Sequence, residues 1–379
     1  MNNRLVLNIS ALFFAFFVVF ILLFFTKDRL FEYYFTYLES LKKTVELQSD
    51  LESGKIVLFG SSELVVYPNQ KFLPQNFFNN DLKIPLRVQG NEGHQSFVIL
   101  SQLAAFDNKK VRENAKVVVL LSPSWFTGSS DNGLTMAKFL EYMNLGMMNK
   151  LYFEGQTQDK YKFLISDYIQ NNISYIKEPT FIYQTPYKEM KDEYINNKIK
   201  KFMIEKFDEK YVKSQDIKYF KQDLNFDDLK NEAKNIEISS SNNNLGINNE
   251  YYLKYVEPQI AKNSFPFEIV IPPSLEKNEE YQDFLDLLDF LDSYKIKPLF
   301  IMQDLHPYVF SKNRENANLL METIKSKVLE HNFEYMDMWT YKKEDYEIGT
   351  LTDIVHTGEL GWVKINQKII EHFIPKEER

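Results

Sequence analysis

A serine behind an apolar run and a distant aspartate and histidine pair have the residue types of a nucleophilic site. Ser62 follows the run Lys55–Phe59, and Asp353 lies three positions before His356. A serine hydroxyl is a weak nucleophile that requires a base, usually a histidine oriented by a carboxylate. Separation by three residues around one turn lets Asp353 reach one ring nitrogen while the other faces the serine. The pattern predicts acyl-transfer chemistry.

The turn that carries the serine also has a simpler interpretation. Gly60 allows a tight turn, and a serine at the start of a helix lets backbone N–H groups stabilise an oxyanion. Alternatively, Ser61 or Ser62 only caps that helix, and Glu63 favours its N-terminus. An isolated Asp-x-x-His pattern is weak evidence in an acidic chain. Its value here comes from its pairing with a serine at the end of a strand.

The remaining histidines do not predict a metal site. His306 and Asp304 would supply two ligands, which are too few for zinc, and the chain contains no cysteine. His331 and His372 lie in helical contexts next to glutamates, typical of a surface. We therefore predict neither a metal nor a cofactor.

Apolar runs alternate with helical patterns along the chain, and this alternation indicates how the candidate residues are positioned. Runs that are apolar throughout are typical of parallel strands buried on both faces. The predicted strands are Lys55–Phe59, Lys116–Leu121, Leu299–Met302 and, less regular, Phe267–Ile271. The predicted helices between or after them are His94–Phe106, Glu279–Tyr294 and Asn316–Glu330. The order predicts a doubly wound α/β sheet, in which ligands bind beyond the carboxyl ends of the strands.

The N-terminal residues have the composition of a membrane anchor. Residues 5–25 contain no charged side chain, and about 20 apolar residues in a helix span a bilayer core. Lys27, Asp28 and Arg29 follow directly, without the small residues of a cleavage site. We predict a transmembrane signal anchor at 1–26, a juxtamembrane helix at 27–50 and an α/β domain at 51–379 with a mostly helical insertion at about 135–265.

Composition excludes one class of partner. The chain has 45 Lys and Arg against 53 Asp and Glu, for a formal net charge of −8. This balance argues against binding of nucleic acid by bulk electrostatics. The absence of cysteine excludes disulfides and a thiolate nucleophile.

Several blocks of sequence, in order over most of the chain, resemble a known family. They are GSSEL at Gly60–Leu64, QGNEGHQS at Gln89–Ser96, the segment Leu121–Phe126, the segment Asn243–Ile247, and Asp353-x-x-His356 followed by Gly361 and Trp362. The serine and the Asp-x-x-His pair are similar to the SGNH (GDSL-like) hydrolase pattern. The blocks together resemble the DltD family of that superfamily. The chain departs from these patterns at Ser122–Trp125, where a G-x-N-D block is usual, and at Gln303–Pro307, where an Asn-Gly turn is usual.

The resemblance implies roles for individual residues. Ser62 is the nucleophile of a triad with His356 and Asp353, and either Gly90 or Gly93 offers a second backbone N–H to the oxyanion beside that of Ser62. The residues expected around a substrate pocket are Ser61, His94, Trp125 and Trp362. A structural role at the start of a helix is an equal alternative for His94, and burial in the core is the alternative for both tryptophans.

The resemblance also implies a function. It is D-alanylation of (lipo)teichoic acid by a single-pass cell-membrane protein with an extracytoplasmic catalytic domain. The implied partners are a DltB-like membrane-bound O-acyltransferase, the D-alanyl carrier protein pathway and the teichoic acid polymer. Two alternatives stay open: an esterase or O-acetyltransferase of another envelope polysaccharide, and a non-catalytic membrane scaffold that holds a carrier protein near its acyltransferase.

Overall fold

The structure is a computed structural model. It describes residues 11–22, 24, 42–128, 136–172, 217, 219 and 224–374. These residues build one five-stranded sheet with helices on both faces.

All strand pairs in the sheet are parallel. The strands are β1 (Ile56–Phe59), β2 (Leu86–Gln89), β3 (Lys116–Leu121), β4 (Leu299–Met302) and β5 (Glu334–Asp337). Their order across the sheet is β2-β1-β3-β4-β5. The strand order reverses between β1 and β3, and such a switch point opens a crevice at the carboxyl ends of the strands. Ser62 follows β1 and therefore lies at this crevice.

Two hydrophobic clusters lie on opposite faces of the sheet because successive side chains of a strand point in opposite directions. In β1, Val57 and Phe59 belong to the larger cluster, and Ile56 and Leu58 belong to the smaller one. The alternation continues in β3 and β4. Each large apolar side chain that is fully buried in this way stabilises the fold by about 1.5–3 kcal/mol. The buried positions of the three central strands, which are all but Lys116, therefore need apolar residues.

Helices cover the two clusters. Those that contribute buried residues to the larger cluster include Ser96–Ala105, Lys109–Asn114, Pro123–Phe126, Met136–Tyr142, Leu145–Asn149, Asp159–Asn171, Glu279–Ser293 and Arg314–Glu330. Those of the smaller cluster include Phe226–Ser240 and Glu359–Phe373, together with the short turn Phe77–Leu82, which the short helix Pro74–Asn76 precedes. Further short helical segments are Ser62–Leu64, Lys150–Glu154, Asn249–Tyr251, Tyr252–Val256, Glu257–Ala261, Leu275–Lys277 and Lys343–Asp345. The prediction of an α/β protein with a parallel sheet is confirmed.

The predicted elements agree with the structure in the centre of the sheet and differ at its edges. β1, β3, β4 and the three predicted helices are present, with ends shifted by one or two residues. The segment Phe267–Ile271 is not a strand, because it makes only an isolated bridge from Glu268 to Lys312. Both edge strands were missed. β2 and β5 carry polar residues, which edge strands tolerate since one side of the ladder is unpaired.

The predicted anchor and juxtamembrane helix lie partly outside the described residues. Within them, residues 11–22 and 42–50 are helical, and the second of these helices continues to residue 52. Among the residues that the structure describes, no helix combines the length and apolarity needed to cross a membrane. In the predicted insertion, the described residues are helices and connecting turns without a strand.

Candidate functional site

The loop after β1 presents Ser62 at the crevice. A backbone hydrogen bond of 3.3 Å from Gly60 N to Gln89 O holds the ends of β1 and β2 together. Ser62 then begins a single turn of 3-10 helix, Ser62–Leu64. Glu63 is buried, and its carboxylate accepts the backbone N–H of Ser61 at 2.6 Å. The turn is therefore fixed by backbone and side-chain hydrogen bonds on both sides of the serine.

Ser62, His356 and Asp353 form a chain of contacts. Ser62 Oγ lies 3.3 Å from His356 Nε2, and His356 Nδ1 lies 2.7 Å from Asp353 Oδ2. Because the carboxylate can only accept, it fixes the hydrogen on Nδ1 and leaves Nε2 to accept the serine hydroxyl. The contact to serine is slightly longer than the 2.6–3.2 Å that proton transfer requires, as is common without a ligand. The arrangement can abstract a proton from Ser62.

Three other groups hold the Asp353 carboxylate in place. Its Oδ1 accepts the backbone N–H groups of Val355 at 2.8 Å and His356 at 2.7 Å. Its Oδ2 accepts the hydroxyl of Tyr67 at 2.9 Å. The Tyr67 ring also meets the His356 ring edge-on, with 5.9 Å between the ring centres. Tyr67 thus contacts both Asp353 and His356.

The electrostatics of the pair favour a charged imidazole. Burial alone lowers the pKa of His356, but the hydrogen bond and negative charge of Asp353 outweigh it, with a smaller contribution from Glu63. The pKa of His356 is therefore raised. Burial likewise raises the pKa of Asp353, and the hydrogen bond and charge of His356 reverse the effect, so the pKa of Asp353 is lowered. The opposite shifts describe one stabilised ion pair.

Gly90 allows the loop after β2 to approach the serine loop. Its φ is 155°, and a Cβ added there would lie 1.9 Å from the carbonyl oxygen of Gly60. The next residue, Asn91, accepts the Ser61 hydroxyl through its carbonyl oxygen at 3.2 Å. The two loops are therefore in direct backbone contact, which only a glycine permits at this position.

We expect Gly90→Ala to lower the free energy of unfolding by about 3 kcal/mol, because the backbone of Gly60 cannot move away without opening the sheet. Measured by thermal unfolding of the full chain in detergent, the melting temperature should fall by about 5 °C. Gly93→Ala is the matched control for backbone strain: its φ of 77° costs an alanine about 1 kcal/mol, but a Cβ there meets only the flexible side chain of Lys138, at 3.1 Å. Equal losses in both variants would contradict the assignment of the close contact to Gly90.

Ser61 and His94 lie behind the serine rather than at an open pocket wall. Ser61 is 7% exposed, and His94 is fully buried between the rings of Phe59 and Tyr142. His94 Nε2 contacts Gln102 Oε1 at 3.1 Å, and burial lowers the pKa of His94 to about 4. The histidine is therefore neutral in its surroundings.

The two tryptophans are also buried. Trp125 packs in the larger cluster, and Trp362 in the smaller one. Trp362 Nε1 donates to Gln70 Oε1 at 2.7 Å, and Gln70 Nε2 donates to the carbonyl oxygen of Thr357 at 3.0 Å. Trp362 thereby supports the residue after His356. Its side chain is 0% exposed.

The segments that depart from the family patterns also have structural roles. Ser122 caps the short helix Pro123–Phe126. Gln303 accepts the hydroxyl of Thr357 at 3.0 Å, which fixes the loop of His356 from the side of β4. Asp304 forms a buried ion pair with Arg314 at 2.9 Å. His306 Nε2 contacts the carbonyl oxygen of Leu245 at 2.9 Å.

Two contacts near the site escaped the sequence analysis. Tyr67 was not singled out, because nothing in its neighbourhood of sequence marks a partner almost three hundred residues away.

Glu237 lies in the predicted insertion and is 2% exposed. Its carboxylate accepts the backbone N–H of Glu359 at 2.7 Å and the hydroxyl of Thr352 at 3.1 Å. Burial raises the pKa of Glu237 to about 7. The hydrophobic periodicity of an amphipathic helix does not reveal which of its glutamates is buried.

Comparison with known proteins shows the family of this chain. A family model described as DltD protein matches residues 36–374, which include both loops of the site. Protein DltD of Staphylococcus aureus (strain NCTC 8325 / PS 47) is 25% identical over 359 residues, covering 88% of this chain and 84% of that protein. The resemblance noted in the sequence is confirmed, and the chain belongs to the DltD family.

Proposed function

We propose that this chain transfers D-alanyl groups to teichoic acid outside the cell membrane, with Ser62 as nucleophile, His356 as base and Asp353 as the residue that orients it. Membership of the DltD family supports a role in D-alanylation. The observation that carries the chemistry is the continuous contact from the Ser62 hydroxyl through the imidazole to the Asp353 carboxylate.

The proposed reaction has two steps with one proton relay. Ser62 Oγ attacks the carbonyl carbon of an activated D-alanyl ester or thioester, and its proton moves to His356 Nε2. The imidazolium gives that proton to the leaving oxygen or sulfur, and a D-alanyl-serine ester remains. A polymer hydroxyl then attacks this ester. His356 takes the proton of that hydroxyl and returns it to Ser62 Oγ.

The negative oxygen formed in each step requires hydrogen-bond donors. We assign this role to the backbone N–H groups of Ser62 and Gly90, with Gly93 as the alternative second donor. Gly90 is favoured because it lies against Gly60, two residues before the nucleophile. Loss of one such donor costs about 3 kcal/mol of transition-state stabilisation. Slow hydrolysis of the acyl-serine is tolerable in a transferase, because this intermediate must survive until the polymer hydroxyl arrives.

The membrane arrangement belongs to the same proposal. Residues 1–26 act as a single-pass anchor, residues 27–50 connect it to the domain at 51–379, and the domain lies on the extracytoplasmic side. The partners are a DltB-like membrane-bound O-acyltransferase and the D-alanyl carrier protein pathway. The anchor rests on the uncharged residues 5–25.

Labelling with a fluorophosphonate tests the nucleophile, and ester preference tests the acyl group. The full chain in detergent should be labelled, while Ser62→Ala should lose about 99% of the labelling. The same preparation should cleave D-alanyl esters at least about tenfold faster than acetyl esters of the same alcohol. Equal labelling of both proteins would support a non-catalytic scaffold. Preference for acetyl esters would support an esterase or O-acetyltransferase instead.

A further inference from the structure

A cavity with both polar and apolar walls lies next to the triad on the side of Asp353. It has a volume of about 350 Å³, and its walls include residues 66–70 and three side chains from other segments, Glu237, Ser240 and Thr352. Neither the nucleophile nor its base lines it. We call it the Glu237 cavity.

The cavity shares its walls with the site. Tyr67, which lines it, donates its hydroxyl to Asp353, and Thr352 directly precedes that aspartate. Val66 is 43% exposed, and its backbone N–H donates to the carbonyl oxygen of Ser62 at 3.0 Å. The cavity wall therefore begins only four residues after the nucleophile.

The lining chemistry suits an uncharged ligand that is rich in hydroxyl groups. Amide side chains of Gln70 and Asn248 and the hydroxyl of Ser240 line it together with the carboxyl groups of Glu237 and Glu359. Each Glu237 oxygen accepts one hydrogen bond within the protein, and a carboxylate oxygen has capacity for a second. Since burial raises the pKa of Glu237 to about 7, this carboxyl can both donate and accept near neutral pH.

Charge excludes a phosphate from the same place. Among the described residues that line the cavity there is no lysine or arginine, and two are glutamates. A phosphate bound there would lack the cations that usually bind it.

We infer that the Glu237 cavity is an acceptor subsite, which binds an uncharged polyol or sugar unit of the polymer while a neighbouring hydroxyl reaches Ser62. This inference rests on the proposed acyl transfer to a polymer hydroxyl. It assigns the cavity to the second step of the reaction, so blocking it should impair transfer and leave the reactivity of the serine intact.

Filling the cavity tests this assignment. Ser240→Trp in the full chain should lower the D-alanyl ester content of the cell wall about tenfold, while fluorophosphonate labelling of Ser62 stays within about twofold of wild type. Ser239→Trp is the matched control on the exposed face of the same helix and should change neither quantity. Asn69→Trp at the exposed rim is a second variant that should act like Ser240→Trp without disturbing the core.

Three results would overturn the inference. The first is wild-type ester content in both cavity variants. The second is loss of labelling in both, because the cavity would then not act separately from the triad. The third is stronger binding of ribitol 5-phosphate than of ribitol in saturation-transfer NMR, which would contradict an uncharged ligand. In the same experiment we expect binding of ribitol, and we expect Ser240→Trp to abolish it. Normal ester content in Ser62→Ala would instead overturn the proposed function itself.

Discussion

Ser62→Ala should abolish D-alanyl incorporation into teichoic acid, with a loss on the order of 10³-fold or more, and leave the fold intact. The change removes only the oxygen that contacts His356 Nε2. The residue is half-buried, and the turn around it is held by backbone bonds and by Glu63, so no packing is lost. The measurement is the alanine ester content of cell walls from a strain whose own copy is replaced by the variant.

Ser61→Ala is the matched control for this prediction. It removes a hydroxyl of the same kind one position earlier, where the contact is to the carbonyl oxygen of Asn91 and not to a base. Ester content within about fivefold of wild type is expected, since a neutral hydrogen bond contributes about 1 kcal/mol. Should Ser62→Ala and Ser61→Ala give equal ester levels, the nucleophile is assigned to the wrong residue or does not exist.

Asp353→Asn should lower the rate of serine acylation on the order of 10⁴-fold, although the side chain keeps its size. The neutral amide of the variant does not stabilise the imidazolium. It can also hold the His356 ring in the tautomer with its proton on Nε2, and that nitrogen then cannot accept the proton of Ser62. The test is the rate constant of fluorophosphonate labelling of the full chain, measured over a range of pH. A loss of less than about tenfold would contradict the role of Asp353.

The rate constant of fluorophosphonate labelling should change with pH in a defined direction. Wild-type labelling should rise as pH increases through the pKa of His356, which lies above its ordinary value because of Asp353. Tyr67→Phe removes a donor to Asp353, so the carboxylate interacts more strongly with the imidazolium. The pKa of His356 should therefore rise further, and the midpoint should move up by as much as about one pH unit, equivalent to about 1.4 kcal/mol. A midpoint that moves down would contradict this view of Tyr67.

The centre of the sheet could be predicted because its burial is visible in the sequence. β1, β3 and β4 are covered on both faces, and so their residues are apolar without alternation. Parallel strands end at the same edge, which is why a serine after β1 and a histidine in a late loop were expected to meet. In the structure, Ser62 Oγ lies 3.3 Å from His356 Nε2.

The edges of the sheet and the pocket residues could not be predicted in the same way. β2 is half-buried, and its sequence Leu86–Gln89 contains a charged and an amide side chain. For Trp125 and Trp362 the sequence leaves a pocket wall and the core as alternatives, and their side chains are 3% and 0% exposed. A large ring adjacent to a site is equally useful behind the reacting residues, and the sequence does not distinguish the two positions.

By itself, the sequence determined which strands are central, which serine follows the first of them, and which histidine carries an aspartate three positions earlier. These features depend on local residue type and spacing, and burial on both faces of a strand leaves a direct trace in composition. Only the tertiary structure decided that Tyr67 braces Asp353, that Gly90 touches Gly60 and that Glu237 lines a cavity beside the triad. Those contacts join segments far apart in the chain, where the partner is set by how helices and loops pack and not by any neighbouring residue.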